Sequence, residues 1–351
     1  MKTIVTGGAG FIGSAVVRRL VAKGEEVVTL DCLTYAGHLP SLGEALDAPN
    51  HHFERADIRD AEAVRALFER HQPDAVMHLA AESHVDRSID SPMDFVSTNV
   101  TGTVVMLQAA QEYWAGLEAA RKEAFRFLHV STDEVYGSLG ETGVFTEQTP
   151  FQPNSPYSAS KAASDHFARA WHRTFGLPVV ISHCSNNYGP YQMPEKLIPV
   201  MILAGLEGRP MPVYGKGANI RDWLRVEDHA SALELMVRKG EPGATYNVGA
   251  DAEVSNIDMV RAICACLDEL LPDSPHRPHD QLITYVTDRP GHDLRYAIDS
   301  SRVREELGWR PAHGLEEGLK QTVAWYLENR WWWQAIREGG FKDGRQGLGR
   351  T

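Results

Sequence analysis

The segment from Lys2 to Asp31 constrains the fold more than any other part of the chain. Lys2–Thr6 reads as a short buried strand, Gly7-Gly8-Ala9-Gly10-Phe11-Ile12-Gly13 as a glycine-rich turn, Ser14–Lys23 as a helix, and Glu26–Leu30 as a second strand ending in Asp31. Strand, turn, helix, strand and acid at this spacing form the βαβ unit of a dinucleotide-binding sheet. Gly7 and Gly10 let the backbone approach a pyrophosphate with no Cβ in the way. Gly13 permits close packing of helix on strand, and the helix N-terminus offers free N–H groups and the positive end of its dipole. Asp31 can accept from both hydroxyls of an adenosine ribose and would repel a 2′-phosphate, which favours NAD over NADP. A glycine turn made only for packing is the plainer alternative, and an acid at this distance argues against it.

The alternation continues down the chain. His51–Arg55 and Asp74–His78 read as strands, Ala61–His71 as an amphipathic helix, Met93–Trp114 as one long helix, and Arg126–Val130 as another buried strand. This is an α/β pattern, a Rossmann-type doubly wound parallel sheet. After residue 188 the alternation weakens, so a smaller C-terminal substrate-binding lid is expected from 189–229 and 251–335. Residues 230–250 would rejoin the 1–188 domain, with Tyr246–Gly249 a short strand, and 336–351 would form a mobile tail. Asp57 has two readings, a bond to the adenine edge or a cap on the following helix. Ala80 and Ala81, small residues at a strand's C-terminal end, suit close passage of a cofactor.

The bulk properties exclude several classes. A net charge of -12 on 351 residues argues against a phosphate-backbone binder, so no nucleic-acid partner is expected. No apolar run reaches the roughly 18 residues of a membrane span. Cys32, Cys184, Cys264 and Cys266 form no C-x-x-C pair, which favours reduced thiols and no metal site. The first strand begins almost at Met1, with no room for a secretory leader, so the expected location is the cytoplasm.

Chemistry concentrates at two places. Thr132-Asp133-Glu134 follows the strand Phe127–Ser131, and Tyr157 and Lys161 stand four apart on a helix opened by Pro156. An i, i+4 spacing puts phenol and ammonium on one face. A cation at contact distance favours phenolate, commonly by about 1–3 pKa units. General acid/base work needs two carboxyls in opposite protonation states, and Asp133 and Glu134 supply the pair. Taken singly, each is equally an acidic loop or a surface Tyr/Lys; together behind a dinucleotide fold they describe a redox base beside an elimination pair.

At these residues the chain resembles the extended short-chain dehydrogenase/reductase superfamily. The closer resemblance is to the dTDP-glucose 4,6-dehydratase family. It is carried by Thr6–Gly13, Leu33–Gly37, Ala80–Ser88, Ser131–Gly137, Ser155–Lys161, Asn186–Tyr191, Pro194–Pro199, Arg221–Leu224 and Asp288–Asp293, and covers residues 1 to about 333. The resemblance implies a hydro-lyase with tightly bound NAD that converts dTDP-glucose to its 4-keto-6-deoxy product for deoxysugar biosynthesis of the rhamnose type. Tyr157, aided by Thr132 and Lys161, would serve the oxidation, Glu134 would remove the C5 proton, and Asp133 would protonate the leaving hydroxyl. Cofactor contacts implied besides Gly7, Gly10, Phe11, Ile12, Gly13 and Asp31 are Cys32, Leu33, Thr34, Asp57, Ile58, Leu79, Ala80, Ala81, Ser83, Thr98 and Asn187. Substrate contacts implied are Ser83, Thr132, Asn186, Lys196, Leu197, Pro212, Tyr214, Arg221, Asn256, Arg289 and His292. The two arginines offer planar forks to a diphosphate.

Relatives dimerise through a four-helix bundle, which here would use helices near 93–114 and 157–175. Val104, Leu107, Phe167 and Trp171 could line it, or could equally be sheet-facing core. Arg225 stands where relatives often carry an aromatic or His, 115–125 is a charged helical insertion, and Trp331-Trp332-Trp333 either closes the lid core or faces a partner. Two rival functions stay open: another nucleotide-sugar enzyme on this scaffold, a 4-epimerase or decarboxylase, which needs the Tyr/Lys base but no elimination pair, and an NAD-sensing regulator without turnover.

Overall fold

The computed structural model describes residues 1–288 and 291–339. Seven strands form the main sheet: β1 (Lys2–Thr6), β2 (Glu26–Asp31), β3 (His51–Arg55), β4 (Ala75–His78), β5 (Arg126–Thr132), β6 (Val179–Cys184) and β10 (Thr245–Val248). Their order is β10-β6-β5-β4-β1-β2-β3, and every pairing is parallel. A parallel sheet is buried on both sides, so neighbouring residues on one strand serve opposite cores. Val5, Val27, Met77, Leu128 and Val180 pack with Val16 and Leu20 of helix Phe11–Ala22 and Leu233 and Met236 of helix Val226–Lys239. Ile4, Val28, Val76, Phe127 and Val179 face the other way, onto Leu67 and Phe68, Met106 and Leu107, and Ala168. These belong to helices Ala61–His71, Thr103–Ala115 and Pro156–Phe175.

A second core lies beside the C-terminal ends of these strands. It is built on β7 (Asn186–Tyr188), β9 (Ile220–Arg225) and β11 (Glu253–Ser255), ordered β11-β9-β7, and on β8 (Met211–Tyr214) paired with β12 (Ile283–Val286). Helices Leu197–Leu206, Asn256–Leu270 and Leu315–Glu328 cover them, around Met201, Trp223, Ile263, Val323 and Tyr326. Trp332 and Trp333 are buried in this core while Trp331 is exposed. The Trp332 indole N–H donates to Ser41 Oγ at 3.1 Å, which ties the C-terminal helix to the loop after β2.

The long helix expected over Met93–Trp114 is interrupted. Pro92–Phe95 is α-helical, Val96–Gly102 is a π-type turn, and Thr103–Ala115 resumes the α form. The wide turn places Asn99 to grip the segment after β4, accepting from Glu82 N–H (2.8 Å) and donating to Glu82 O (3.0 Å) and Ser160 Oγ (2.9 Å). The 115–125 insertion contains a short helix, Ala119–Ala124. Arg121 fastens it to Gln72 O and Asp74, and buried Phe125 leads into β5. The Ala61–His71 helix is capped by Asp60, which accepts from Glu62 and Ala63 N–H; the capping reading of Asp57 is therefore corrected.

Candidate active site

A cavity of about 710 Å3 opens at the C-terminal ends of β1, β2, β4, β5 and β6. The glycine turn forms its floor. Gly7 has φ +67°, and a Cβ there would lie 2.8 Å from the Ala80 backbone; a Cβ on Gly13 would lie 2.1 Å from Gly7 O. Gly10 begins the helix without a side-chain cap, so the first-turn N–H groups receive none from it. Asp31 accepts from Ala9 N–H (3.0 Å) and Leu33 N–H (2.8 Å). Burial pushes its carboxyl up against those two bonds. Asp57 reaches the same cavity, with both oxygens engaged by Arg59, whose hydrogen bonds hold the carboxyl below the ordinary range. Thr6 Oγ1 accepts from Leu79 and Ala80 N–H at 3.1 Å and so fixes the small-residue segment over the turn.

The opposite wall carries the reactive side chains. β5 ends in Thr132, and a single 3-10 turn, Asp133–Tyr136, follows. Thr132 Oγ1 accepts from Glu134 N–H at 3.3 Å, and Asp133 is 1% exposed, with Oδ2 lacking a hydrogen-bond partner. Burial, then the charges of Glu134 and Asp222, push the Asp133 carboxyl well above its ordinary value. Burial therefore biases Asp133 toward its protonated form, the state an acid needs, and this bias is a property that sequence could not supply.

Tyr157 and Lys161 enter from helix Pro156–Phe175, which a Ser155/Ser158 capping box starts. Lys161 is buried and donates to Val130 O at 2.8 Å, and desolvation lowers its pKa. The expected Lys161-lowered phenol is not found. Burial, then Glu134 and Cys184, push the Tyr157 hydroxyl well up, with Thr132 hydrogen bonding in the opposite direction. The ammonium is turned to a backbone carbonyl, and burial dominates the phenol.

Of the predicted cofactor residues, Gly7, Gly10, Phe11, Ile12, Gly13, Asp31, Cys32, Thr34, Asp57, Ile58, Leu79, Ala80, Ala81, Ser83, Thr98 and Asn187 line the cavity together with Tyr157 and Lys161, and Leu33 does not. Leu33 instead carries φ +55° in the turn after β2 and gives its N–H to Asp31. Among the predicted substrate residues, Ser83, Thr132, Asn186 and Lys196 line it as well. Lys196 donates to Ser83 O at 3.1 Å, and Asn187 Oδ1 lies 2.9 Å from His229 Nδ1.

Leu197, Pro212, Tyr214, Arg221, Asn256 and His292 are not in that lining. Leu197 opens its helix, Pro212 and Tyr214 lie on β8, and Asn256 follows the cap residue Ser255. The Tyr214 and His292 rings stand 6.2 Å apart, and His292 Nδ1 is 2.7 Å from Asp288. Arg221 is buried, 4.2 Å over the Tyr296 ring, and donates to Ile220 O and Asp293 O. Its charge reaches Asp133, whose carboxyl it partly restrains. Arg289 falls outside the described residues.

Sequence reasoning missed Tyr35, Arg87 and Glu195, all in the lining. The Arg87 guanidinium lies 3.5 Å over the Tyr35 ring and 4.0 Å from Glu195, whose carboxyl burial pushes up. Each sits inside a segment already singled out, but nothing in the spacing shows three distant loops converging.

The chain matches the family model described as GDP-mannose 4,6 dehydratase over residues 4–322. It is 59% identical to a probable dTDP-glucose 4,6-dehydratase of Sinorhizobium fredii, with 99% of each chain covered. It is 55% identical to a dTDP-glucose 4,6-dehydratase of Escherichia coli, again over 99% of both. Its fold superposes on the Streptomyces venezuelae dTDP-glucose 4,6-dehydratase solved with NAD and dTDP bound (TM-score 0.87, 45% identity, 96% of this chain and 100% of that one). A more distant likeness is a Thermotoga maritima UDP-glucose 4-epimerase with UDP-glucose (TM-score 0.82, 29% identity, 94% and 100%). With a family model spanning most of the chain and relatives this similar over their full length, the chain belongs to the dTDP-glucose 4,6-dehydratase family.

Proposed function

We propose that this protein dehydrates dTDP-glucose to dTDP-4-keto-6-deoxy-glucose, with NAD as a resident cofactor. The observation that supports the reading is buried Asp133, its carboxyl pushed up by burial, beside Glu134 in the lining of a dinucleotide-type cavity. A 4-epimerase on the same scaffold needs the Tyr157/Lys161 pair but has no use for a neutral acid there. NAD fits the residues present: a helix start without a side-chain cap, close-packed glycines, and Asp31 at the end of β2. Bound NAD would accept hydride from C4 of the sugar and return it to C6.

The chain's own residues do the proton work. Tyr157 Oη takes the proton of the 4-hydroxyl, with Thr132 as its hydrogen-bond partner. The resulting ketone acidifies the C5 proton, which Glu134 removes. Asp133 gives its proton to the departing 6-hydroxyl, and water leaves. Glu134 returns its proton to C5 as C6 is reduced, and the proton held by Tyr157 is released to solvent while Asp133 takes one up, which resets the site. Lys161, buried and bonded to Val130 O one helical turn from Tyr157, has the role of favouring the phenolate form of Tyr157. Arg221, with Arg289, His292, Tyr214, Pro212, Asn256 and Leu197, forms the nucleotide end of the substrate site, and Asn186, Ser83 and Lys196 the sugar–phosphate end. Residues 1–188 with 230–250 act as the cofactor domain and 189–229 with 251–335 as the lid. The product feeds deoxysugar synthesis in the cytoplasm; among the described residues no helix is long and apolar enough to cross a membrane. The unit is a homodimer built on the apolar surface of helix Pro156–Phe175 and the 92–102 segment, where Met93 is 70% and Phe167 39% exposed.

Side-by-side assay of dTDP-, UDP- and GDP-glucose tests the reading. The expected result is a 4-keto sugar from the dTDP substrate with no net reduced cofactor, and loss of that product in Tyr157→Phe. Formation of the galactose epimer alone would replace the dehydratase reading by the epimerase one.

A further inference from the structure

Behind the reactive wall lies a buried polar chain with no part in proton transfer to substrate. Its centre is Asp165, 2% exposed, on helix Pro156–Phe175 one turn beyond Lys161 and two beyond Tyr157. Asp165 Oδ2 accepts from Ser131 Oγ at 2.9 Å and lies 3.0 Å from His183 Nε2. Its Oδ1 lies 3.1 Å from His129 Nε2. On its far side, His183 Nδ1 is 2.6 Å from the Tyr136 hydroxyl, which is 2.9 Å from Asn247 Oδ1. Asn247 is itself fixed in orientation, because its Nδ2 donates to Phe145 O at 3.1 Å.

The Asn247 oxygen and the Asp165 carboxylate can only accept, so the His183 ring and the Tyr136 hydroxyl supply the hydrogens along the chain. Asp165 is the anion of the chain; burial opposes its charge, but the bonds from His129 and His183 outweigh burial and hold the carboxyl far below the ordinary range.

Ser131 immediately precedes Thr132-Asp133-Glu134, and Tyr136 closes the 3-10 turn that holds Asp133 and Glu134. Both flanks of the triplet therefore end on one carboxylate, and that carboxylate shares a helix with Tyr157 and Lys161. We propose that Asp165 and His183 are positioning residues that lock Asp133 and Glu134 in register with the Tyr157/Lys161 pair, an inference that rests on the dehydratase reading of the site. The two half-reactions use different side chains on a single sugar, and a displacement near 1 Å between them is enough to cost about a hundredfold in rate.

Tyr136→Phe tests this with little risk to the fold, since the ring packing on Phe145 and Phe151 is kept. The expected outcome is a folded protein with a thermal midpoint lower by a few degrees, an unchanged KM, and kcat lower by about ten- to a hundredfold. Reduced nicotinamide should build up during turnover, and deuterium exchange at C5 should slow in parallel. Asp165→Asn should show the same split more strongly. An unchanged kcat, or oxidation at C4 slowing as much as C5 exchange, would overturn the proposal. Nitrogen-15 shifts of the His183 ring give a readout independent of turnover: they should move in both Asp165→Asn and Tyr136→Phe. Ring shifts unchanged in both variants would also overturn it. If native enzyme releases no 4-keto-6-deoxy sugar, the functional reading fails instead, while the ring shifts still decide whether the anchor exists.

Discussion

At the scale of single residues, two adjacent carboxyls sit in different surroundings, and burial pushes one of them well up. Asp133 is 1% exposed and faces the charges of Glu134 and Asp222, with Arg221 giving partial relief. Its folded pKa lies above the unfolded value of about 3.9, so the folded state binds the proton more tightly. Below the unfolded pKa both states are protonated and the site costs nothing. As pH rises the unfolded chain loses its proton first, and stability falls until pH passes the folded value. Asp133→Asn, a neutral amide, should therefore raise the thermal midpoint at neutral pH, with the gain shrinking toward zero near about pH 4, while kcat falls by about 10²–10⁴. Melting curves across pH with parallel assays check both halves; an equal gain at every pH would show that ionisation is not the cause. The identities of Thr132, Asp133, Glu134, Tyr157 and Lys161 were legible in sequence because their order and spacing are local. Their protonation states were not, because desolvation comes from β9 and its neighbours far along the chain.

At the scale of elements, strand ends and helix starts do the positioning. The glycine turn works by contact: the Gly13 α-carbon faces Gly7 O so closely that one methyl has no place, and the obstacle is backbone rather than a side chain that can swing away. Gly13→Ala should cost about 1–3 kcal/mol of stability and deplete NAD in the purified protein. Chemical denaturation and the nucleotide content of denatured samples measure the two; full NAD content at wild-type stability would contradict the packing role. The inner strands β1, β2, β4 and β5 were readable because a doubly covered sheet demands continuous apolar runs between turn signals. The break at Val96–Gly102 was not, since helical spacing persists through a π-type turn. What opens that turn is tertiary: Asn99 bonds to Glu82 and Ser160, and Gly102 lies where a Cβ would meet Ile58 at 2.5 Å.

At the scale of the whole molecule, two cores are joined across the cavity, and an apolar surface remains on one side. Leu107 proves to be fully buried under the sheet, so it serves the core; Met93, Val96, Phe167 and Phe175 are exposed, and the Phe167, Trp171 and Phe175 rings touch in a row along one helix. A patch of this kind on two adjacent helices suits self-association. Sedimentation of the native protein should give a dimer, and Phe167→Asp with Met93→Lys a monomer; a native monomer at micromolar concentration would exclude the bundle.

The sequence by itself determined the βαβ start, the continuous apolar runs of the inner strands and the identity of the candidate catalytic side chains. Each of these is a property of neighbours in the chain, set by sterics, hydrogen-bond geometry and spacing. Only the tertiary structure decided that burial pushes the Asp133 carboxyl up, that Lys161 turns to Val130 O, that Asp60 rather than Asp57 caps its helix, and that Tyr35, Arg87 and Glu195 meet at the cavity. Those outcomes depend on desolvation and on partners brought from distant segments, and neither quantity exists until the sheet and the second core have closed around the site.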